Sequence, residues 1–506
     1  MFRADTLSPR QLLAGLVIFQ VVIWTLVPML FHTSLPLDVV REGLAWGHEW
    51  QLGYYKHPPL PSWLVEASFQ LAGDMGPLLL GQLSMAISFI AIYFLGRELI
   101  GSRDAVVGVI CLVGVYYYSL PTVEFNHNVA QMPVWAAMIL FYYKALRSGQ
   151  AIWWILLGLT GGIGLLSKYT VLLLMALMFI YSLSRPAYRK HYSTMGPYLA
   201  VGIVLLVAAP HIYWLLENDF PSLSYLNQRS GRVGTLLMRP LKSLEFLSAQ
   251  LAAVLPMLIL LWSGGLLKKA TGSIPLQKPD ISEADREYLL VFGLGPVLIA
   301  CIIPLVSGTE LRSMWGMPML SLVGLMAVVL LGTPWETGRI GRFLLAGMLL
   351  FVFLASMYGL KGIVSARYAE RPTRTVWPDT EIASRLERNW VSVTGCRLKI
   401  VTADGWLGGL VAMRSPSRPS VFLEGDYKKA PWISKEALKE NGSLVVWITG
   451  GEGEVPEVYR LLPGFSYRGI EMFDWPGGNK NARPITLGWG VVPGACTDRA
   501  PGAVLQ

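Results

Sequence analysis

The chain alternates long apolar runs with short breaks of charge, Gly and Pro, and about eleven runs have the length and uniform apolarity of membrane-crossing helices. They fall near 11–31, 77–99, 104–122, 128–146, 151–166, 169–184, 195–216, 244–266, 288–306, 313–332 and 341–361. The fifth and sixth are short and are joined through Ser167 and Lys168, which fits either a broken pair or one kinked crossing. Beyond about Arg367 the pattern changes. Short β-type runs ("LKIVTA", "PSVFLE", "SLVVWIT", "YRGIEMF", "ITLGWGVV") are separated by Pro/Gly turns and by helix-like pieces at 379–390 and 434–440. The expected architecture is a polytopic α-helical membrane domain over 1–365 and a soluble α/β domain over 366–506.

Charge orients the spans. With the N-terminus in the cytoplasm, the loops at 100–103, 147–150, 185–194, 267–287 and 333–340 all lean basic, as cytoplasmic loops do. The loops 32–76, 120–127, 217–243 and 307–312 then lie outside, with the tail; only 217–243 departs from the trend by being basic. Of 506 residues, 53% are apolar and 15% charged, well below the ~25% charged of soluble domains. The net charge of +9 is accounted for by these loops, and no recognition motif supports nucleic-acid binding. The first apolar run is longer than a signal h-region and no small-residue cleavage site follows it, so it is expected to be an uncleaved span. Cys111 and Cys301 sit in apolar runs, whereas Cys396 and Cys496 lie in the tail and can pair if that tail is extracytoplasmic.

The first outer loop holds more chemistry than a connector needs. Asp38 stands just past the first span in "DVVRE", where it can cap a helix or serve as a general base in a partly dry site. The loop ends in "GYYKHPPLPSWL", in which Pro58 and Pro59 fix the backbone and aim Lys56 and His57 at one place. Glu124, Asn126, His127 and Asn128 gather at the mouth of the fourth span; capping is one reading, and a divalent site formed by Glu124 and His127 with His57 is another. Lys168 in "GLLSKYT" lies at membrane depth or at its outer edge, where a lysine either serves function or snorkels to the interface. Arg229, Arg232 and Arg312 add outer-face positive charge suited to a lipid phosphate or to ordinary headgroup contact.

Together, the acidic first loop with its "HPPLP" close, "EFNHN", "GLLSKYT" and "PHIYWLLENDFPSLSY" resemble the bacterial branch of the family 39 glycosyltransferases. That family includes protein O-mannosyltransferases and the lipid A aminoarabinose transferase. The motifs cover roughly residues 10–240. The resemblance implies a GT-C fold, a polyprenyl-phosphate sugar donor and transfer at the periplasmic face of the inner membrane. Carried over residue by residue, it makes Asp38 the catalytic base, places His57 in the "HPP" element, and sets Lys168 near the donor phosphate. Two positions depart from the family pattern: Val39 stands where Glu is usual, and Lys56 where an acidic residue often precedes the prolines. Lysine there argues against a metal, so transfer without a cofactor is expected, and its charge suits an acidic sugar or a phosphorylated acceptor.

The resulting expectation is an inverting transferase that moves a sugar, a uronic acid ranking first, onto lipid A or lipopolysaccharide core. Asp38 is the base; Lys56, His57, Glu124, Asn126 and His127 bind acceptor or sugar; and Lys168, Arg229, Arg232 and Arg312 hold the donor phosphate. The alternatives are a protein O-mannosyltransferase and a lipid or sugar flippase, the latter disfavoured because charge collects at the outer span ends and no matching halves are seen.

Overall fold

The computed structural model describes residues 7–229, 236–267, 276–335, 339–451 and 454–500. It separates into two compact units, one made of 1–26 and 78–357, the other of 27–77 and 358–506. By packing, therefore, the first outer loop groups with the tail rather than with the spans.

Each of the eleven expected apolar runs is helical. The helices, in chain order, are α1 (Pro9–Phe31), α2 (Leu60–Ala72), α3 (Met75–Ile100), α4 (Ser102–Cys111), α5 (His127–Ser148), α6 (Ala151–Ser167) and α7 (Val171–Ser184). They continue with α8 (Gly196–Glu217), α9 (Pro221–Arg229), α10 (Arg239–Ser263), α11 (Glu283–Ser307), α12 (Val323–Leu331) and α13 (Ile340–Arg367). Seven of the described helices (α1, α3, α5, α8, α10, α11 and α13) are long and apolar enough to cross a membrane. Three bent pairs are apolar enough only when taken together, each as a broken span or a re-entrant loop: Ser102–Gly114 with Tyr116–Val123, Val171–Ser184 with Pro186–Ser193, and Ser313–Leu320 with Val323–Leu331. The fifth and sixth runs are two separate helices, α6 and α7, which meet at Lys168.

Within the first unit, close backbone approach and buried amides do the work that apolar contrast cannot do in lipid. A Cβ on Gly158 would lie 2.7 Å from the Ala200 carbonyl oxygen, and one on Gly162 would lie 2.5 Å from Val207. The two glycines thus form the face on which α8 lies against α6. Gln20 donates to Gln82 at 2.9 Å, and Gln82 in turn reaches the Thr122 carbonyl at 3.3 Å, which closes a buried polar chain with partners at each step.

The second unit begins where α1 ends. Residues 39–44 form a π-helical turn, closed by the Ala45 N–H bonding to the Val40 carbonyl, and α2 follows. The tail contributes α14 (Asp379–Thr394), β1 (Ile400–Ala403), α15 (Gly405–Arg414), β2 (Ser420–Leu423), α16 (Lys435–Asn441), β3 (Ser443–Ile448), β4 (Ser466–Phe473) and β5 (Ile485–Val492). All five expected strands are present, in the order β2-β1-β3-β5-β4. β1 pairs in parallel with β2 and β3, while β5 runs antiparallel to both β3 and β4. Cys396 and Cys496 are joined as a disulfide. Helix α15 was not expected from sequence, because three glycines in "GWLGGLVAMR" dilute its helical signal.

These glycines have a packing role. A Cβ at Gly409 would sit 2.5 Å from the Val40 carbonyl oxygen, and one at Gly405 would sit 3.2 Å from that of Arg41. The tail's first parallel crossover helix thus lies backbone-to-backbone on the π-helical turn. Arginines fasten the same surfaces: Arg414 forks onto both oxygens of Asp74 at 2.7 Å and reaches Asp379 at 2.9 Å, while Arg418 reaches buried Glu66 at 2.6 Å. The Thr33 and Ser34 N–H groups both donate to the Thr375 carbonyl. Gly409→Ala is expected to lower stability by about 1–3 kcal/mol through overpacking. Gly202→Ala, where a Cβ meets nothing within 4 Å, is expected to be neutral or slightly stabilising; thermal unfolding of the solubilised protein compares the two.

Candidate active site

Asp38 occupies the N-cap position of the π-helical turn, yet its backbone is already helical (φ −72°, ψ −28°) and its side chain makes no capping bond. The capping reading is set aside. The carboxylate faces Arg41, whose Nη2 lies 2.7 Å from Oδ1. Burial raises the Asp38 pKa above the ordinary carboxylate value and the nearby Glu42 charge adds to this, while Arg41 and Lys56 pull it back. The result is a desolvated carboxylate restrained by one arginine. A general base needs such a setting, because proton affinity rises as water is withdrawn.

Glu42 is the residue that sequence reasoning passed over. Its side chain is only 8% exposed and faces two cations and an imidazole: Lys56 Nζ at 3.2 Å, Arg41 Nε at 3.7 Å and His57 Nε2 at 3.9 Å. The "KHPP" element therefore aims both Lys56 and His57 at one carboxylate, as the proline stiffness implied. Tyr54 N–H bonds back to the His57 carbonyl at 3.1 Å and closes the turn that carries them. Lys56 also lies over the Tyr55 and Trp46 rings, at 5.2 and 5.7 Å. Trp46 stacks on Tyr54, whose hydroxyl donates to the Trp46 carbonyl at 2.8 Å. The signal available in the sequence was the spacing of Asp38 and Glu42, which puts both acids on one side of a helical turn.

Glu42 and His57 are ligand types for a divalent ion. The Lys56 ammonium on the same carboxylate supplies positive charge there by itself.

The other expected residues belong to the first unit. Asn126 caps α5, its Oδ1 accepting from the N–H groups of Asn128 (2.9 Å) and Val129 (3.3 Å), and Glu124 lies in the turn just before it. His127, the first residue of α5, is buried. Lys168 is 8% exposed, donates to Asn128 and lies 5.1 Å from the Trp315 ring centroid, so it is held inside the fold rather than snorkelling. Beside it, the Tyr169 hydroxyl bonds to His211 Nε2 at 2.7 Å and to Ser222 at 3.0 Å, which ties the α6–α7 junction to α8 and α9. Arg312 precedes the 3₁₀ segment Ser313–Leu320 that carries Trp315. Arg229 ends α9, and its side chain and Arg232 lie outside the described residues.

Comparison with known proteins bears on the fold and on the class of activity. Residues 56–214, which begin at Lys56 and include His127 and Lys168, match the family described as dolichyl-phosphate-mannose-protein mannosyltransferase. Over 94% of the chain the fold superposes on 97% of crystalline ArnT from Cupriavidus metallidurans bound to undecaprenyl phosphate, with a TM-score of 0.62 at 13% identity. The chain is a GT-C glycosyltransferase. Among characterised relatives of this glycosyltransferase are two from Rhizobium johnstonii. The lipopolysaccharide core galacturonosyltransferase RgtB is 25% identical over 445 residues, 84% of this chain and 85% of the relative. The lipid A galacturonosyltransferase RgtD is 25% identical over 341 residues, 66% of this chain and 68% of the relative.

The Lys56–Glu42 pair is expected to show a coupling energy of about 0.5–3 kcal/mol in a double-mutant cycle. Lys56→Met alone leaves a buried carboxylate short of its nearest cation and lowers the unfolding temperature, while adding Glu42→Gln restores part of the loss.

Proposed function

We propose that this glycosyltransferase moves a uronic acid from a polyprenyl-phosphate donor onto lipid A or lipopolysaccharide core, at the periplasmic face of the bacterial inner membrane. The observation that carries the reading is Asp38: a desolvated carboxylate at the end of the first span, held by Arg41 and flanked by a wall of Lys56 and His57. The two galacturonosyltransferase relatives support the sugar and the acceptor, and the undecaprenyl phosphate named for the structural neighbour supports the donor lipid. The Cys396–Cys496 disulfide supports an extracytoplasmic tail, since such bonds persist in oxidising compartments. On this reading residues 1–365 form the catalytic membrane domain and 366–506 its periplasmic extension.

The reaction is a single inverting displacement. Asp38 accepts the proton of the acceptor hydroxyl as its oxygen attacks the anomeric carbon, and the bond to the polyprenyl phosphate breaks on the opposite face. Lys168 holds the departing phosphate, fixed for that task by Asn128 and the Trp315 ring. Arg229, Arg232 and Arg312 supply further positive charge to it. Lys56 and His57, with Glu124, Asn126 and His127, bind sugar and acceptor. The prenyl chain stays in an apolar groove between spans, so the donor need not leave the bilayer.

Asp38→Asn in purified protein is expected to reduce transfer from lipid-linked galacturonate to lipid A by about 10²–10⁴-fold; near-wild-type incorporation of label would remove Asp38 from the role of base. Because the carboxylate must be ionised, activity falls as pH drops through its raised pKa. Arg41→Gln removes the cation that lowers this pKa and should move the acid limb of the kcat/KM profile to higher pH. Glu42→Gln removes the acid that raises it and should move the limb the other way. Transfer should also persist in excess chelator, with Lys56 providing the charge a metal would bring; an absolute requirement for a divalent ion would contradict this.

A further inference from the structure

The tail carries a second cationic centre that the mechanism above does not use. Arg374, in the 3₁₀ turn Arg374–Val376, lays its guanidinium against two indoles, 4.5 Å from the Trp377 ring centroid and 5.2 Å from that of Trp406. The rings meet edge-on at 5.6 Å, and Trp475 packs on Trp377 at 6.1 Å. Trp377 and Trp406 are nearly buried. Two donors in this cluster, Arg374 Nη1 and Trp406 Nε1, are buried and find no acceptor among the described residues. A buried donor without an acceptor is costly, the more so when charged. Both belong to one aromatic frame, and an anion there would supply an acceptor.

The position in the fold points the same way. Trp406 lies in the first turn of α15 directly after β1, and its backbone N–H donates to Asp404 Oδ1 at 2.7 Å. In the order β2-β1-β3, the chain leaves β1 to one side for β2 and returns to the other for β3. Ligands of parallel α/β sheets bind beyond the carboxyl ends of the strands at such a switch point. Gly405, between Asp404 and Trp406, lies against the Arg41 backbone, and the Trp377 carbonyl accepts from Thr33 Oγ1 at 2.9 Å. The cluster therefore borders the turn that carries Asp38. Desolvation holds the Arg374 pKa below the usual arginine range, with the Arg41 charge adding to it and Asp404 opposing it. An arginine in that setting gains from a carboxylate partner.

We propose that Arg374, framed by Trp377 and Trp406, is the subsite that reads the carboxylate of a uronic acid, whether that acid is carried by the donor or already attached to the acceptor. The inference rests on the transferase reading above and adds the residue that sets its preference for acidic sugars. A planar guanidinium suits a carboxylate bidentately, and the two indoles fix its orientation.

The test uses full-length protein with polyprenyl-phosphate galacturonate and polyprenyl-phosphate galactose as donors, and lipid A with and without a galacturonate substituent as acceptors. Arg374→Gln should lower kcat/KM by about 10–100-fold in the reactions that include a uronic acid and leave the fully neutral-sugar reaction unchanged; Arg374→Lys should recover part of the loss. A loss confined to the galacturonate donor assigns the subsite to the donor, and one confined to the substituted acceptor assigns it to the acceptor. Equal losses in all reactions, or none, would overturn the proposal. Saturation-transfer NMR with free galacturonate and galactose on the Asp38→Asn protein keeps the two readings separate. Should wild type transfer no sugar at all, the transferase reading falls, while galacturonate binding that disappears on adding Arg374→Gln still upholds the subsite. Equal binding of the two sugars, unaffected by Arg374→Gln, removes it.

Discussion

The backbone contact between α15 and the π-helical turn is the constraint on which the second unit depends. A π-helical turn is a local departure from the ordinary helical ladder, and such turns occur most often at functional sites. Here a neighbour has to hold it in shape, and only a residue without a side chain at position 409 lets the helix come close enough to do so. The arginine forks from Arg414 and Arg418 fix the direction of that approach. Buried ion pairs of this kind add little net stability, and their value lies in specifying one arrangement among many. The tail is thus part of the scaffold of the loop that carries Asp38.

Much of this was legible in the sequence. The spans were, because lipid demands long uninterrupted apolar runs that a period analysis cannot miss. The five strands were, because β-branched clusters between Pro/Gly turns are locally encoded. The convergence of Lys56 and His57 was, because two prolines leave the chain little choice. What escaped were α15, whose glycines are explained by a partner hundreds of residues away, and the grouping of 27–77 with the tail, which no local signal records. Glu42 escaped because its role depends on where Lys56 and His57 return in space. Arg374 escaped because a single arginine in a loop has no pattern of its own.

Glu42 also gives a physical account of the two departures from the family 39 pattern. Val39 is buried, so an acid in its place would lack solvent and counter-charge. One turn on, Glu42 supplies a carboxylate, and Lys56, which replaces the acid that usually precedes the prolines, neutralises it. The two departures compensate each other: the loop keeps a carboxylate near Asp38, and Lys56 balances its charge.

The Arg414–Asp74 fork spans 340 residues of chain. The loop bearing Asp38 is synthesised well before the helix and the arginines that pack on it. Until the chain through α15 has been made, the π-helical turn lacks its backbone partner. The order of synthesis therefore has a consequence: a chain halted before α15 is made carries the acidic loop without the backbone partner that packs on its π-helical turn.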